Sequence, residues 1–283
     1  MSLLYSIVLI RQLFLRQRQT RIIRTIVLVF ATLALPGCSY LYARSIYKFE
    51  QSAKDDRVHY EPGAAAMAEA VSEQLSGWID RVEHEEYQPF KNARAITVYV
   101  FDDKQRYANF SHGSVKSRGS SSSNEIYLSP RLRERPGSLA RIVLHELSHV
   151  HTRQYTGTWR YVTDIPGWFV EGMAVVTSHG GGAENVTEQQ AVAAIRGGHH
   201  FMPRDRGGLF GHYYASDYDL SPHMYYQQAG LFVRFLQQRD AETFHNCYID
   251  LLKGKAFANV WQDRFGLTIA QLWDEFVYDN VGE

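Results

Sequence analysis

Apolar residues recur along this chain with two different spacings. Between residues 64 and 82 they fall on one face of a helix, whereas residues 95–101 form a β-branched and aromatic run that predicts a strand. A second short strand is expected at residues 125–129. Further helices are predicted toward the end of the chain, at residues 224–232, 244–252, 256–265 and 269–277. The chain is therefore predicted to be α+β, with a small N-terminal sheet followed by a mainly helical C-terminal part.

Polar stretches separate these elements. Residues 39–60 are polar and mixed in charge, which predicts a tether, and residues 113–124 are rich in Ser and Gly, which predicts a mobile loop. Two Thr-x-x-Gln sequences, beginning at Thr187 and Thr268, have the spacing of capping boxes. Each of them predicts the start of a helix.

The candidate chemistry lies at residues 145–149, which are His-Glu-Leu-Ser-His. On a helix, the two imidazoles four residues apart share one face and can hold a metal ion, and Glu146 can reach a water bound to that ion. Apolar residues at helical spacing around the motif predict a part-buried helix, for which Ser138 is a candidate N-cap. The alternative is a chance pair of histidines on a solvated helix face.

A catalytic zinc site needs a third protein ligand, and Glu171 is the best candidate. It lies in the apolar run of residues 165–174, where an unpaired charge is costly and a metal ion would supply a partner. A salt-bridged or protonated glutamate is the alternative. His151 is excluded, because two residues after His149 it lies on another side of the helix.

These two motifs together resemble the gluzincin metallopeptidases, especially the bacterial thermolysin-like "peptidase MA-like" domains. In those domains the His-Glu-x-x-His sequence is followed by Pro-x-Trp-x-x-Glu-Gly-x-Ala, which begins here at Pro166. The resemblance covers roughly residues 96–236. It implies a zincin-like domain at residues 61–283 with an edge strand over the metal-site helix. The sheet and metal helix are expected at residues 95–180, and the helical part at 187–283.

Carried over by position, the resemblance implies a site for one Zn²⁺ ion. Its ligands would be His145, His149 and Glu171, and Glu146 would be the catalytic base. One departure is Val175, which stands where thermolysin itself has an Asp four residues after the ligand glutamate. The outer partner of one ligand histidine is therefore unidentified.

The resemblance also implies a tyrosine that donates a hydrogen bond to the oxyanion formed during hydrolysis. Tyr226 matches that position best, while Tyr225 and His223 match it less well. As the alternative reading, both tyrosines are aromatics that line the core.

The N-terminal segment has the pattern of an export signal. Residues 1–37 contain five arginines, no acidic residue and an apolar run at 26–35. The following Leu-Pro-Gly-Cys, which ends at Cys38, resembles the lipobox of bacterial lipoproteins. This resemblance implies a lipidated Cys38 and, with Ser39 after it, a membrane-anchored lipoprotein that faces the periplasm at the outer membrane. An uncleaved membrane anchor or a simply secreted protein is the alternative.

The net charge, the second cysteine and the loop histidines exclude some other kinds of partner and site. The formal net charge is +0 and no stretch is basic enough to predict a nucleic-acid partner. Cys247 lies in an apolar segment and is expected to be a buried thiol, not a disulfide partner of Cys38. Three loop histidines are expected to be solvated in preference to forming a second metal site; they are His199, His200 and His212.

The function expected from these observations is zinc-dependent hydrolysis of peptide bonds in the cell envelope. A peptide or protein would be the substrate, with a metal-activated water and Glu146 as general base. One alternative is a non-catalytic or assembly-type envelope lipoprotein that keeps the metal fold, and another is an amidase that acts on cell-wall material. The intact Glu146 favours an enzyme, because a structural zinc site would not need a base.

Overall fold

The computed structural model of this protein describes residues 46–111, 113–208 and 212–281. The expected signal sequence and Cys38 lie outside these residues. Residues Phe49–Glu283 group as one unit. Among the helices described, none combines the length and the apolar character that crossing a membrane requires.

Five short strands form one mixed sheet. They are β1 (Glu50–Gln51), β2 (Val58–Tyr60), β3 (Thr97–Val100), β4 (Gly119–Ser122) and β5 (Glu125–Leu128). Their order across the sheet is β1-β2-β3-β5-β4. The three inner strands run parallel, and each outer strand is antiparallel to its neighbour.

The first two helices named below lie between strands along the chain, and the others follow the last strand. They are α1 (Ala65–Glu85), α2 (Lys104–Ser111), α3 (Leu139–Thr163), α4 (Gly167–Thr177), α5 (Glu188–Arg196), α6 (Pro222–Arg239), α7 (Ala241–Leu252), α8 (Phe257–Phe265) and α9 (Ile269–Val281).

Two hydrophobic cores result from this arrangement. On one face of the sheet, alternate strand residues such as Val98 and Ile126 pack with the apolar faces of α1 and α3. On the other face, Tyr99 and Tyr127 contact Phe110 of α2. The second core is rich in aromatic residues and is built mainly by α4 to α9. Helix α3 therefore links the two cores, because its first turns belong to the first and its last turn contributes to the second.

Helices α4 and α6 approach each other closely, and two glycines permit this. A Cβ added at Gly172 would lie 2.6 Å from the carbonyl oxygen of Ala229. One added at Gly230 would lie 2.5 Å from a methyl carbon of Val175. Any larger residue at either position would push the helices apart.

The α+β class and the division into an N-terminal sheet and a helical C-terminal part are confirmed. Both capping boxes are present, since Thr187 exchanges side-chain and backbone hydrogen bonds with Gln190, and Thr268 does so with Gln271. At Ser138 the position is confirmed, but the side chain forms no capping bond, and its hydroxyl donates to the carbonyl oxygen of Arg135.

Two predictions about loops were wrong. The tether prediction fails for residues 50–60, where β1 and β2 belong to the sheet. The loop prediction fails for residues 119–122, which form β4 and pair with β5. Backbone hydrogen bonds to β5 hold this Ser-rich strand, and such bonds leave no hydrophobic pattern in the sequence. The edge strand beside α3 is consequently β4, and the strand predicted at 125–129 lies inside the sheet.

Candidate metal centre

Helices α3 and α4 bring the three candidate ligands together. The Oε2 atom of Glu171 lies 3.3 Å from Nε2 of His145 and 3.5 Å from Nε2 of His149. The two Nε2 atoms are 3.1 Å apart. In the part of the chain that the structure describes, this is the one cluster of His, Cys, Asp or Glu side chains suited to holding a metal ion.

The donor set of this cluster fits a metal ion. Oε2 of Glu171 is buried and has no hydrogen-bond partner. Nδ1 of His145 lies 2.9 Å from the carbonyl oxygen of Gly181. Because a carbonyl only accepts, neutral His145 carries its proton on Nδ1 and presents a lone pair at Nε2. Two imidazoles and one carboxylate are the ligand set of many catalytic zinc sites, which keep a fourth position open.

The electrostatics of the cluster also favour a cation. Burial raises the pKa of Glu171, but the nearby positive charge of His149 and of His145 outweighs it, so the pKa lies far below its ordinary value. Burial lowers the pKa of His145, but its close contact with the negative charge of Glu171 outweighs this effect and leaves the pKa raised. The carboxylate thus remains ionised and attracts positive charge, which either protons or a metal ion can supply.

The outer partners of both histidines are neutral groups. His145 has the carbonyl of Gly181, and Nδ1 of His149 lies 3.0 Å from the hydroxyl oxygen of Tyr161. Burial raises the pKa of Tyr161, so its hydroxyl stays protonated. Val175, at the position of the missing Asp, packs toward Gly230 of α6.

Sequence reasoning missed both partners. A signal was available for Gly181, because three consecutive glycines indicate a close backbone approach. A Cβ at Gly182, whose φ is 83°, would lie 2.9 Å from Cε1 of His145. No local pattern marks Tyr161.

Glu146 directly follows His145 on α3 and lies against the edge strand. It is 7% exposed, and a Cβ added at Gly119 of β4 would lie 3.1 Å from its Oε1 atom. The same Cβ would lie 2.6 Å from a methyl carbon of Ile142. Glycine at position 119 therefore lets the edge strand pass directly over the helix that carries the cluster.

Of the three candidates for the oxyanion donor, Tyr226 packs against a ligand. Its ring centroid lies 6.0 Å from that of His145. The negative charge of Glu171, together with burial, raises the pKa of Tyr226 well above its ordinary value, so the phenol remains a hydrogen-bond donor. The hydroxyl of Tyr225 instead donates to the carbonyl of Tyr213, and Nε2 of His223 lies 2.8 Å from the Asn185 amide nitrogen.

A cavity of about 200 Å³ opens beside Glu171. This volume is smaller than that of sites for drug-sized molecules and is suited to a single side chain. Its walls are mostly aromatic and apolar; the lining residues include Tyr213, Tyr214, Ala215, Leu220, Tyr225 and Tyr226.

The remaining histidines have other roles. His212 also lines the cavity, and its Nε2 donates to the carbonyl of Tyr161 at 2.8 Å, so the expectation that this residue is solvated was wrong. His199 is exposed, as expected. His151 is held outside the cluster, with Nδ1 2.7 Å from the buried carboxylate of Glu86, which confirms its exclusion as a ligand.

Cys247 is buried, as expected, and burial raises the pKa of its thiol to about 12.

No family model matches this sequence, and no curated protein matches it either.

Proposed function

We propose that this protein is a zinc-dependent peptidase of the gluzincin type that acts in the cell envelope. The observation that carries the proposal is the meeting of three ligand side chains, one of which presents the buried and unpartnered Oε2 of Glu171. The helix that carries both histidines also carries the buried Glu146 directly after the first of them. A structural metal site would not need that second carboxylate.

The metal ligands, Glu146 and Tyr226 each have a part in the proposed reaction. A bound Zn²⁺ ion would polarise the scissile carbonyl and lower the pKa of water, so that the water loses a proton more easily and becomes a better nucleophile. Glu146 accepts a proton from the attacking water and delivers it to the leaving amine. The phenol of Tyr226 donates a hydrogen bond to the carbonyl oxygen as negative charge develops on it.

The surroundings of the cluster support a peptide as substrate. Strand β4 ends the sheet within the described residues and lies against Glu146, so an extended peptide can pair with it and pass the cluster. The cavity beside Glu171 can receive one apolar side chain of that peptide. The export signal and Cys38 suggest that the substrate is an envelope protein or peptide.

The decisive variant is Glu146→Gln, with Glu242→Gln as the matched control on the exposed first turn of α7. We expect Glu146→Gln to retain zinc and to lose about 10²–10⁴-fold in turnover of a fluorogenic peptide mixture, because general acid–base catalysis contributes that much. The control is expected to behave as the parent protein. Zinc content is measured by elemental analysis, and activity with and without a chelator.

The proposal fails if Glu146→Gln cleaves peptides at the parental rate. Hydrolysis of peptidoglycan but not of peptides would favour the amidase alternative. Bound zinc without hydrolysis of either substrate would favour a binding or assembly role.

A further inference from the structure

We propose that Tyr161 is a positioning residue of the metal centre: its hydroxyl accepts the Nδ1 proton of His149 and so leaves Nε2 of that histidine free to bind the ion. The inference rests on the metal site of the proposed function. It assigns to a phenol the position that a carboxylate commonly takes beside a metal-binding histidine.

The contact is direct and buried. The Tyr161 hydroxyl oxygen lies 3.0 Å from Nδ1 of His149, and the two rings meet edge to face with centroids 6.3 Å apart. Tyr161 is 4% exposed and His149 is 6% exposed. A hydrogen bond shielded from water in this way holds both the ring orientation and the tautomer of the imidazole.

Other contacts hold Tyr161 in this orientation. The guanidinium carbon of Arg153 lies 4.3 Å from the centroid of its ring, and Nη1 of the same arginine donates to Ser121 of the edge strand at 3.1 Å. His212 donates to the Tyr161 carbonyl. Tyr161 is therefore connected to the edge strand through its ring and Arg153, and to the cavity wall through its backbone carbonyl and His212.

A break in α3 places Tyr161 next to His149. The two residues are twelve positions apart, and an unbroken helix would carry them about 18 Å from each other at 1.5 Å per residue. Gly157 has φ 73° and ψ 155°, a conformation essentially limited to glycine. The chain reverses there, and the last turn of α3 brings the phenol back to the ligand.

The proton positions follow from the chemistry of the partners. A metal ion binds the lone pair of Nε2, so the imidazole must carry its proton on Nδ1. The hydroxyl oxygen of Tyr161 can accept that proton in a hydrogen bond. A phenol can also donate a hydrogen bond, which a carboxylate cannot. In the metal-free protein the Tyr161 hydroxyl can therefore donate to Nδ1 of His149. The proton of His149 is then on Nε2, which faces Nε2 of His145 at 3.1 Å.

The test compares Tyr161→Phe with Tyr155→Phe. Tyr155 lies on the same helix, and its hydroxyl donates to the carbonyl of Pro89, away from the cluster. Both variants lose one hydrogen-bonded hydroxyl and keep the ring. We expect Tyr161→Phe to weaken zinc binding about 10–100-fold in competition with a chromophoric chelator, and Tyr155→Phe to leave it unchanged.

A second measurement reports the tautomer of His149 directly and does not depend on activity. In the zinc-loaded parent protein, ¹⁵N NMR should show His149 bound through Nε2, with a proton on Nδ1 that exchanges slowly with water. In Tyr161→Phe this proton should exchange faster.

Equal zinc affinities in the two variants, or coordination of His149 through Nδ1, would overturn the inference. Such a result would leave the proposed peptidase standing, provided that the parent protein binds zinc and cleaves peptides. If the parent protein does not bind zinc, the proposed function and this inference both fail.

Discussion

At the scale of single residues, the ability of the candidate centre to bind a metal ion depends on which side chains carry a proton. Glu171 accepts only, and so does the carbonyl of Gly181, while the phenols of Tyr161 and Tyr226 keep their protons because of burial and nearby negative charge. The centre thus combines one ionised ligand carboxylate with two neutral phenols, of which Tyr226 can donate to a substrate and Tyr161 can accept from a ligand histidine.

Substitution of Tyr226 tests which of the adjacent aromatic residues acts on the substrate. We expect Tyr226→Phe to lower kcat about 10²–10³-fold with little change in KM or zinc content, because the hydrogen bond is made mainly to the developing oxyanion. Steady-state kinetics with a fluorogenic peptide measure this.

Tyr225→Phe is the matched control, because its hydroxyl donates to the Tyr213 carbonyl. A larger loss of kcat in Tyr225→Phe than in Tyr226→Phe would show that the role of oxyanion donor has been assigned to the wrong residue.

At the scale of elements, α3 carries both ligand histidines and the outer partner of one of them. This is possible because the helix is interrupted at Gly157, beyond the ligands. The edge strand β4 passes over the same helix at Gly119. Two glycines thus set where the backbone of α3 reverses and how closely the sheet approaches it.

The break in α3 can be tested with Gly157→Ala. A Cβ at this position would meet no atom within 4 Å, so the cost comes from the positive φ alone. We expect the free energy of unfolding to fall by about 1–3 kcal/mol and zinc affinity to fall with it, because Tyr161 loses its position. Urea unfolding and zinc competition measure the two effects.

Gly77→Ala is the control for this variant. Gly77 is exposed in the middle of α1, with nothing within 4 Å of the added Cβ. There the change should raise the free energy of unfolding by about 0.5–1 kcal/mol and leave zinc affinity unchanged. An intact zinc affinity in Gly157→Ala would contradict the role given to the break.

At the scale of the whole molecule, the cluster lies where the two hydrophobic cores meet. The histidines belong to the helix that packs on the sheet, and Glu171 belongs to the helix that packs into the aromatic core. An ion bound by all three would connect these cores and stabilise the folded state over the unfolded state.

Removal of the metal should therefore lower thermal stability. With free zinc at one hundred times Kd, the ion adds about 2.7 kcal/mol to the free energy of unfolding, which corresponds to roughly 5–10 °C in Tm for a domain of this size. Calorimetry with and without a chelator measures the shift. His145→Ala should show no response to the chelator, and an unchanged Tm in the parent protein would contradict a metal site that links the cores.

Several features of the fold and of the site were predictable, because they depend on residues within about one helical turn of each other. His145 and His149 share a helix face through their spacing alone, and both capping boxes form within four residues. The apolar periods of α1 and of the C-terminal helices likewise predicted these elements, although the helix predicted at 224–232 extends to Arg239. Glu171 was identified from its apolar surroundings, because a buried charge requires a partner.

The sequence by itself determined the fold class, the amphipathic helices and the identity of the three clustered side chains, since each follows from local spacing and burial. Only the tertiary structure decided that a Ser-rich segment becomes the edge strand, that Gly181 and Tyr161 contact the histidines, and that a cavity opens beside Glu171. The physical reason is the same in each case. These features depend on hydrogen bonds and contacts between residues far apart in the chain, and neither backbone pairing nor a reversal at one glycine leaves a periodic pattern in side-chain polarity.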